Sequence, residues 1–79
     1  MENRLPNYFK TYRKRHGLGQ KQMAELLDKS RFHILRLESG QSHPSLYTAI
    51  ALSILFDVEI SDLMPELHQK LQNLLKDRL

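Results

Sequence analysis

Helix-ending residues divide this chain at short intervals, and that spacing restricts it to short helices. Gly17, Asp28, Gly40 and Asp57 each follow a run of apolar residues at helical spacing. Glycine adopts a positive φ without steric cost, and aspartate tolerates it better than most residues, so both can end a helix. No apolar/polar alternation lasts long enough for a strand. The sequence therefore predicts an all-α domain of five helices joined by short loops.

The chain is short and contains no cysteine. Its 79 residues form one small domain, and a domain of this size buries only about 60% of its unfolded surface. Without cysteine there are no disulfides, thiolate metal sites or cysteine nucleophiles. We therefore expect a second copy of the chain to supply stability. The longest fully apolar run, Ala49–Leu52, is far too short to span a membrane or act as a secretory signal, so a cytoplasmic protein is expected.

Charge is distributed unevenly along the chain. Residues 1–36 contain nine Lys or Arg against three Asp or Glu, a net charge of +6. Residues 37–79 contain three bases against six acids, a net charge of −3. Such a split indicates that the basic residues form a surface that binds a polyanion. The alternative is that these charges are only solvated and bind no partner.

Apolar spacing predicts the helices at the two ends of the domain. The first has one apolar face and Pro6 in its first turn, where a missing N–H matters least. Its apolar face consists of Leu5, Tyr8, Phe9 and Tyr12. A core-facing stripe is predicted on the fourth helix at Leu46, Ala49, Ile50, Ser53 and Phe56. Ser61 is the predicted cap of a last helix, with Pro65 in its first turn and leucines along one side.

The segment from Gln20 to Gly40 contains two short helical patterns around a three-residue turn. The first helix is predicted over Gln20–Leu27, and the turn is Asp28-Lys29-Ser30. Ser30 is a good N-cap for the next helix, which extends to Ser39. Small Ala24 permits close approach of the two helices, and Ile34 and Leu37 can anchor the second to the core.

From about Tyr8 to Met64 the sequence resembles the phage repressor and Cro-like helix-turn-helix domains of the XRE family, which are lambda-repressor-like. The resemblance is carried by Arg13, Gly17-Leu18-Gly19-Gln20, Met23-Ala24, Ser30, Ile34, Leu37-Glu38, Gly40, Pro44-Ser45-Leu46 and Val58. It implies a DNA-binding domain over residues 1–64. Residues 65–79 are left as a C-terminal amphipathic helix. Lys29 departs from the pattern, where an apolar residue or threonine is usual.

The resemblance implies a sequence-specific regulator of transcription, a repressor, that inserts the helix of residues 30–39 into the major groove of double-stranded DNA. Arg31 and Arg36 would each bind guanine O6 and N7, and Phe32 would contact a thymine methyl group. His33 would reach a phosphate or a base. Gln20 is similar to the family's phosphate-binding glutamine. Further backbone contacts are expected from Lys29, Ser30, Gln41, Ser42 and His43. The alternative is that these side chains are solvated surface residues that make no contact with DNA.

Two further features accompany this interpretation. The resemblance implies an ion pair between Arg13 and Glu38, which would set the angle of the DNA-reading helix. Leucines at 67, 71, 74, 75 and 79 form a stripe that can either pack on its own domain or join two copies. Dimerisation is assigned to Leu67, Leu71, Leu74 and Leu75. A two-fold dimer would require an inverted-repeat operator, with half-sites about 34 Å apart.

Apolar Phe32 and Leu35 keep a second function open. A hydrophobic pair on the outer side of such a helix can read thymine methyl groups, or it can bind a protein. The alternative is therefore a protein-interaction module, antirepressor-like or antitoxin-like.

Catalysis, metal binding and cofactor binding are not expected. The four histidines, His16, His33, His43 and His68, have no metal-ligand spacing. Gly17 and Gly19 follow no predicted strand, so they form a turn rather than a phosphate-binding loop. We expect a bacterial or phage-encoded protein, associated with the nucleoid when bound to DNA.

Overall fold

The computed structural model describes residues 6–79, and over this range the chain is all-helical. The helices are α1 (Phe9–Arg15), α2 (Gln20–Leu26), α3 (Arg31–Glu38), α4 (Leu46–Phe56), α5 (Ile60–Leu63) and α6 (Pro65–Lys76). The predicted all-α class is confirmed. Leu5, assigned to the first helix, lies outside the described residues. No helix within residues 6–79 combines the length and apolar character needed to cross a membrane.

All four predicted helix-ending residues have left-handed backbone conformations. The φ angles are 66° at Gly17, 54° at Asp28, 80° at Gly40 and 52° at Asp57. A residue in this region reverses the chain and ends the helical hydrogen-bond pattern. These local preferences therefore determine where α1 to α4 stop.

The first helix starts later than predicted. It begins at Phe9, whose N–H donates to the Asn7 side chain at 3.1 Å, so Asn7 and not Pro6 organises the entry. The Tyr8 N–H donates to the Leu63 carbonyl at 2.9 Å, which joins this entry to α5. The Tyr8 side chain is exposed rather than core-facing. Backbone pairing with α5 holds Tyr8 in place before helical geometry begins.

The core lies where α1, α2, α3, α4 and α5 meet. Phe9, Met23, Ile34, Leu37 and Leu52 are at most 1% exposed. Its other apolar members are Ala24, Leu27, Phe56, Leu63 and Met64. The Tyr12 ring stacks on Phe56 with 6.0 Å between centroids, which joins α1 to α4.

The predicted core face of α4 is correct at Phe56 and wrong at Leu46 and Ile50. Thr48, Leu52 and Phe56 are buried, whereas Leu46 is 76% exposed and Ile50 is also exposed. Ala49 and Ser53 are half-buried. Because α4 carries apolar side chains on every side, their spacing alone does not identify the face that packs inward.

The predicted last helix is two helices, so residues 6–79 contain six helices rather than five. Glu59, not Ser61, precedes α5, and its N–H donates to the Asp62 carboxylate at 3.1 Å. Met64 then leaves the helical region, with φ −137° and ψ 63°. The cause is Pro65, since a proline disfavours helical geometry in the residue before it. Pro65 begins α6, where its missing N–H is tolerated.

The leucine stripe on α6 is largely uncovered. Leu67 is half-buried and packs against the core. Leu71, Leu74, Leu75 and Leu79 are all exposed. Packing on its own domain therefore accounts only for the first leucine of the stripe.

Candidate nucleic-acid interface

The turn between α2 and α3 is closed by backbone hydrogen bonds. The Lys29 N–H donates to the Ala24 carbonyl at 2.8 Å, and Asp28 supplies the left-handed residue. The Ser30 hydroxyl then accepts the His33 N–H at 3.1 Å, which confirms Ser30 as the N-cap of α3. This short connection holds α3 at a set angle to α2.

Helix α3 is fixed to the domain through one side. Ile34 and Leu37 are completely buried, as predicted. With about 100° between successive residues, Arg31, Phe32, Leu35 and Arg36 fall within an arc of about 140° on the other side. All four are exposed, and Phe32 is 72% exposed. The helix thus presents two guanidinium groups and two apolar side chains to an approaching molecule.

Arg13 and Glu38 form the predicted ion pair between α1 and the end of α3. Arg13 Nε donates to Glu38 Oε2 at 2.5 Å, and Nη2 donates to Oε1 at 3.2 Å. Arg13 Nη1 also donates to the Leu18 carbonyl at 2.9 Å. The side chains are only 7% and 5% exposed. Arg13 is therefore occupied inside the domain and is not available to DNA.

Gln20 belongs to the same polar network. Its amide nitrogen donates to Glu38 Oε1 at 3.2 Å, and the residue is half-buried at the first position of α2. A side-chain amide carries two N–H donors. One hydrogen of Gln20 therefore contacts Glu38, and the second can donate to a phosphate oxygen.

His33 has an unfavourable environment for a positive charge. Burial lowers its pKa below the ordinary value, and the nearby charges of Lys29 and Arg36 lower it further. Both neighbours are exposed bases whose charges act on the His33 ring. The positive charge around α3 would attract a polyanion, whose binding would neutralise it.

The loop after α3 is joined to the helix end. The Gly40 N–H donates to the Leu37 carbonyl at 3.1 Å, and the Ser42 N–H donates to the Arg36 carbonyl at 3.2 Å. Gln41 and His43 are exposed, and Ser42 is half-buried. These loop residues thus lie beside the C-terminal end of α3.

Two residues of this region are absent from the sequence-based prediction. The Asn7 side chain donates to the Leu37 carbonyl at 3.0 Å and so holds the end of α3. Asparagine is a preferred helix-capping residue, and its position just before α1 was the available signal. Exposed Lys10 borders a shallow cavity of about 180 Å³ with Gln20, Leu35, Glu38 and Ser39. Only the tertiary structure brings Lys10 to α3.

Within residues 6–79, no three His, Asp or Glu side chains are grouped as they would be to hold a metal ion. The described part of the interface instead combines exposed bases, amides and apolar side chains. Such a set can form hydrogen bonds with phosphates and base edges.

Comparison with known proteins identifies the family. The profile of a family described as helix-turn-helix matches residues 9–63, which is most of the chain. An uncharacterized HTH-type transcriptional regulator of Methanocaldococcus jannaschii is 37% identical over 59 residues, which are 75% of this chain and 89% of that protein. The matched region extends from the first residue of α1 to the last residue of α5. The chain belongs to the XRE-type helix-turn-helix family that its sequence resembles.

Proposed function

We propose that the protein is a sequence-specific DNA-binding repressor that inserts α3 into the major groove. The observation that carries this proposal is the outward arc of α3, which presents Arg31, Phe32 and Arg36 on a helix anchored by buried residues. A helix held rigidly from behind can present base-reading side chains in a constant register. Occupying a site is sufficient for repression, whereas activation needs a further contact with the transcription machinery.

Each outward side chain has a proposed partner in the groove. Arg31 and Arg36 bind guanine O6 and N7 through two N–H donors each. Phe32 contacts the methyl group of a thymine, and Leu35 extends this apolar surface. His33 contacts a phosphate or a base edge beside them. The predicted operator half-site therefore combines guanines with at least one thymine.

Phosphate contacts set the position of the domain. The second amide hydrogen of Gln20 donates to a phosphate at one edge of the groove. Lys29 and Ser30 at the turn, together with the loop residues Gln41, Ser42 and His43, contact the backbone on both sides of α3. Lys10, which borders the same cleft as Gln20, adds a further charge. These contacts release counterions, so the affinity depends steeply on salt.

The protein acts as a homodimer on an inverted-repeat operator. Two domains related by a two-fold axis would place their α3 helices about 34 Å apart, one turn of DNA. The exposed leucines of α6 support association, because they form an apolar stripe that residues 6–79 leave exposed. Leu71, Leu74 and Leu75 would contact the second copy, and Leu67 would support them from its half-buried position.

A mobility-shift titration against the DNA upstream of the protein's own coding sequence tests this proposal. The affinity for this DNA should fall by about 10³-fold or more when the salt concentration is raised from 50 to 200 mM, as expected for six or more phosphate contacts. Random DNA of equal length is the control. Equal affinity for both DNAs would contradict sequence-specific binding. An affinity that does not change with salt concentration would contradict binding through phosphate contacts.

A protein-interaction module is the second candidate, and the exposure of Phe32 and Leu35 is the observation that favours it. Replacing both by alanine while keeping Arg31 and Arg36 separates the two functions. A DNA reader would keep its salt-dependent affinity and lose discrimination for thymine. A protein-binding module would lose its partner and show no salt-dependent DNA binding.

A further inference from the structure

Helix α4 has a second apolar face that residues 6–79 leave largely uncovered, and Ala51 is its one half-buried member. We call Leu46, Tyr47, Ile50, Ala51 and Ile54 the α4 outer face, and they lie within an arc of about 140°. Tyr47 is 77% exposed and Ile54 is 74% exposed. None of the 11 residues of α4 is charged. A helix that is apolar on all sides is normally buried on all sides.

The shape of the α4 outer face includes both projections and depressions. A cavity of about 220 Å³ is lined by Tyr47, Ile50, Ala51 and Ile54. A second cavity of about 280 Å³ adjoins it and is lined by Ala51, Ile54, Leu55, Leu26 and Leu27. Ala51 and Ile54 border both cavities, and the Ile54 side chain is largely exposed. A two-fold contact pairs one patch with itself, so it requires a projection and a matching depression on the same face.

The charges around this face favour an antiparallel arrangement. Asp57, Glu59 and Asp62 border a cavity that also includes Ile54, so the C-terminal end of α4 is acidic. Antiparallel pairing places these carboxylates near the N-terminal end of the other α4, where helix N–H groups create partial positive charge. Parallel pairing would instead place the two acidic ends together. Because α4 itself is uncharged, identical copies can meet without repulsion along its length.

We propose that the α4 outer face pairs with the same face of a second copy about a two-fold axis, with each Ile54 seated beside Ala51 of the second copy. Homodimer interfaces are more apolar than other protein surfaces, and this face is wholly uncharged. A small domain also gains most from such burial. The proposal deepens the proposed function and rests on it: the α6 leucines would add to the same dimer about the same two-fold axis, because a second axis would extend the pair into an open assembly. Since α4 follows the loop of residues 41–45, pairing here would also set the separation of the two α3 helices.

Three variants test the pairing in the full chain without DNA. Ile54→Lys and Ala51→Glu each place a charge in the contact. Sedimentation measured from about 1 to 100 µM protein should show that each variant raises the dimer dissociation constant at least a hundredfold. Phe32→Lys is the matched control, since Phe32 is equally exposed but lies on α3. It should remain as dimeric as the wild type. Circular dichroism checks that all three variants are folded.

Mixing the two charged variants is the decisive step. In a mixed dimer Lys at position 54 of one copy meets Glu at position 51 of the other, and the second contact keeps Ile54 on Ala51. The mixture should therefore regain dimerisation that neither variant shows alone. A monomeric wild type, persistent dimers of Ile54→Lys, or two monomeric variants that fail to pair on mixing would each overturn the proposal.

The same variants separate this inference from the proposed function. Ile54→Lys should still bind a single half-site, because α3 is unchanged, while losing tight binding to the full inverted repeat. If the wild type dimerises as described but binds no DNA, the proposed function fails and the pairing stands. If DNA binds specifically and Ile54→Lys has no effect on dimerisation, only the pairing fails.

Discussion

Arg13 and Glu38 are 25 positions apart in sequence, and their side chains meet through two hydrogen bonds of 2.5 and 3.2 Å. The pair joins α1 to the C-terminal end of α3 in a nearly dry environment. Gln20 adds a third donor to the same carboxylate. This contact sets the orientation of the helix proposed to read DNA.

Removing one member of the pair should be worse than removing both. Arg13→Met leaves a buried carboxylate, and Glu38→Leu leaves a buried guanidinium, so each should lower the free energy of unfolding by about 3–5 kcal/mol. The double variant should be less destabilised than either single variant. Urea unfolding of the four proteins measures the coupling, and strictly additive losses would contradict this account.

The two outward arginines should differ from other surface arginines in their effect on DNA binding. Arg31→Ala and Arg36→Ala should each weaken operator binding by about 1–3 kcal/mol and relax the preference at one base pair. Arg78→Ala is the control, because Arg78 is exposed beyond α6. Fluorescence anisotropy with operator variants checks this. A loss that is equal for every sequence would reassign the arginine to a phosphate.

Stability should fall in mild acid because of His33. Burial and the charges of Lys29 and Arg36 hold the pKa of His33 below its ordinary value. Below about pH 6.5 the unfolded chain therefore binds a proton at this residue before the folded chain does, which favours unfolding. Stability at His33 is complete above this range and declines as the pH falls through it. His33→Gln should show a smaller decline between pH 7.5 and 5, measured by urea unfolding at each pH. Wild type and variant share every other titrating group, so an identical decline in both would contradict this role.

The α6 stripe should contribute to association rather than to the isolated domain. Leu71→Gln with Leu75→Gln should weaken dimerisation by about 1–2 kcal/mol per leucine, since both are exposed in the single chain. Gln69→Ala with Asn73→Ala is the control on the same helix, where those two exposed side chains form a hydrogen bond with each other at 3.1 Å. Thermal unfolding at several protein concentrations is the measurement. A melting temperature lowered equally at every concentration would show that the leucines stabilise their own domain.

Local chemistry accounts for the parts of the structure that were predictable. Each helix stop depends on one residue and its φ preference, as at Asp28 and Asp57, and Ser30 caps α3 through a hydroxyl three residues from its partner. Ile34 and Leu37 face the core as predicted, although Phe32 and Leu35 have the same spacing on the exposed side of α3, so spacing alone did not separate the two pairs. The resemblance to the XRE family, rather than spacing, pointed to Arg13 and Glu38.

The rest was decided by contacts between distant segments. Around α4 nearly every position is apolar, so burial of Thr48 instead of Ile50 depended on how its neighbours pack. Lys10 and Asn7 reach α3 only because α1 lies against it. The amino-acid sequence alone determined the helical class, the turn between α2 and α3 and the Ser30 cap of α3, because these follow from interactions within a few positions. Tertiary structure decided which faces are covered, because burial depends on surfaces brought together from separate parts of the chain.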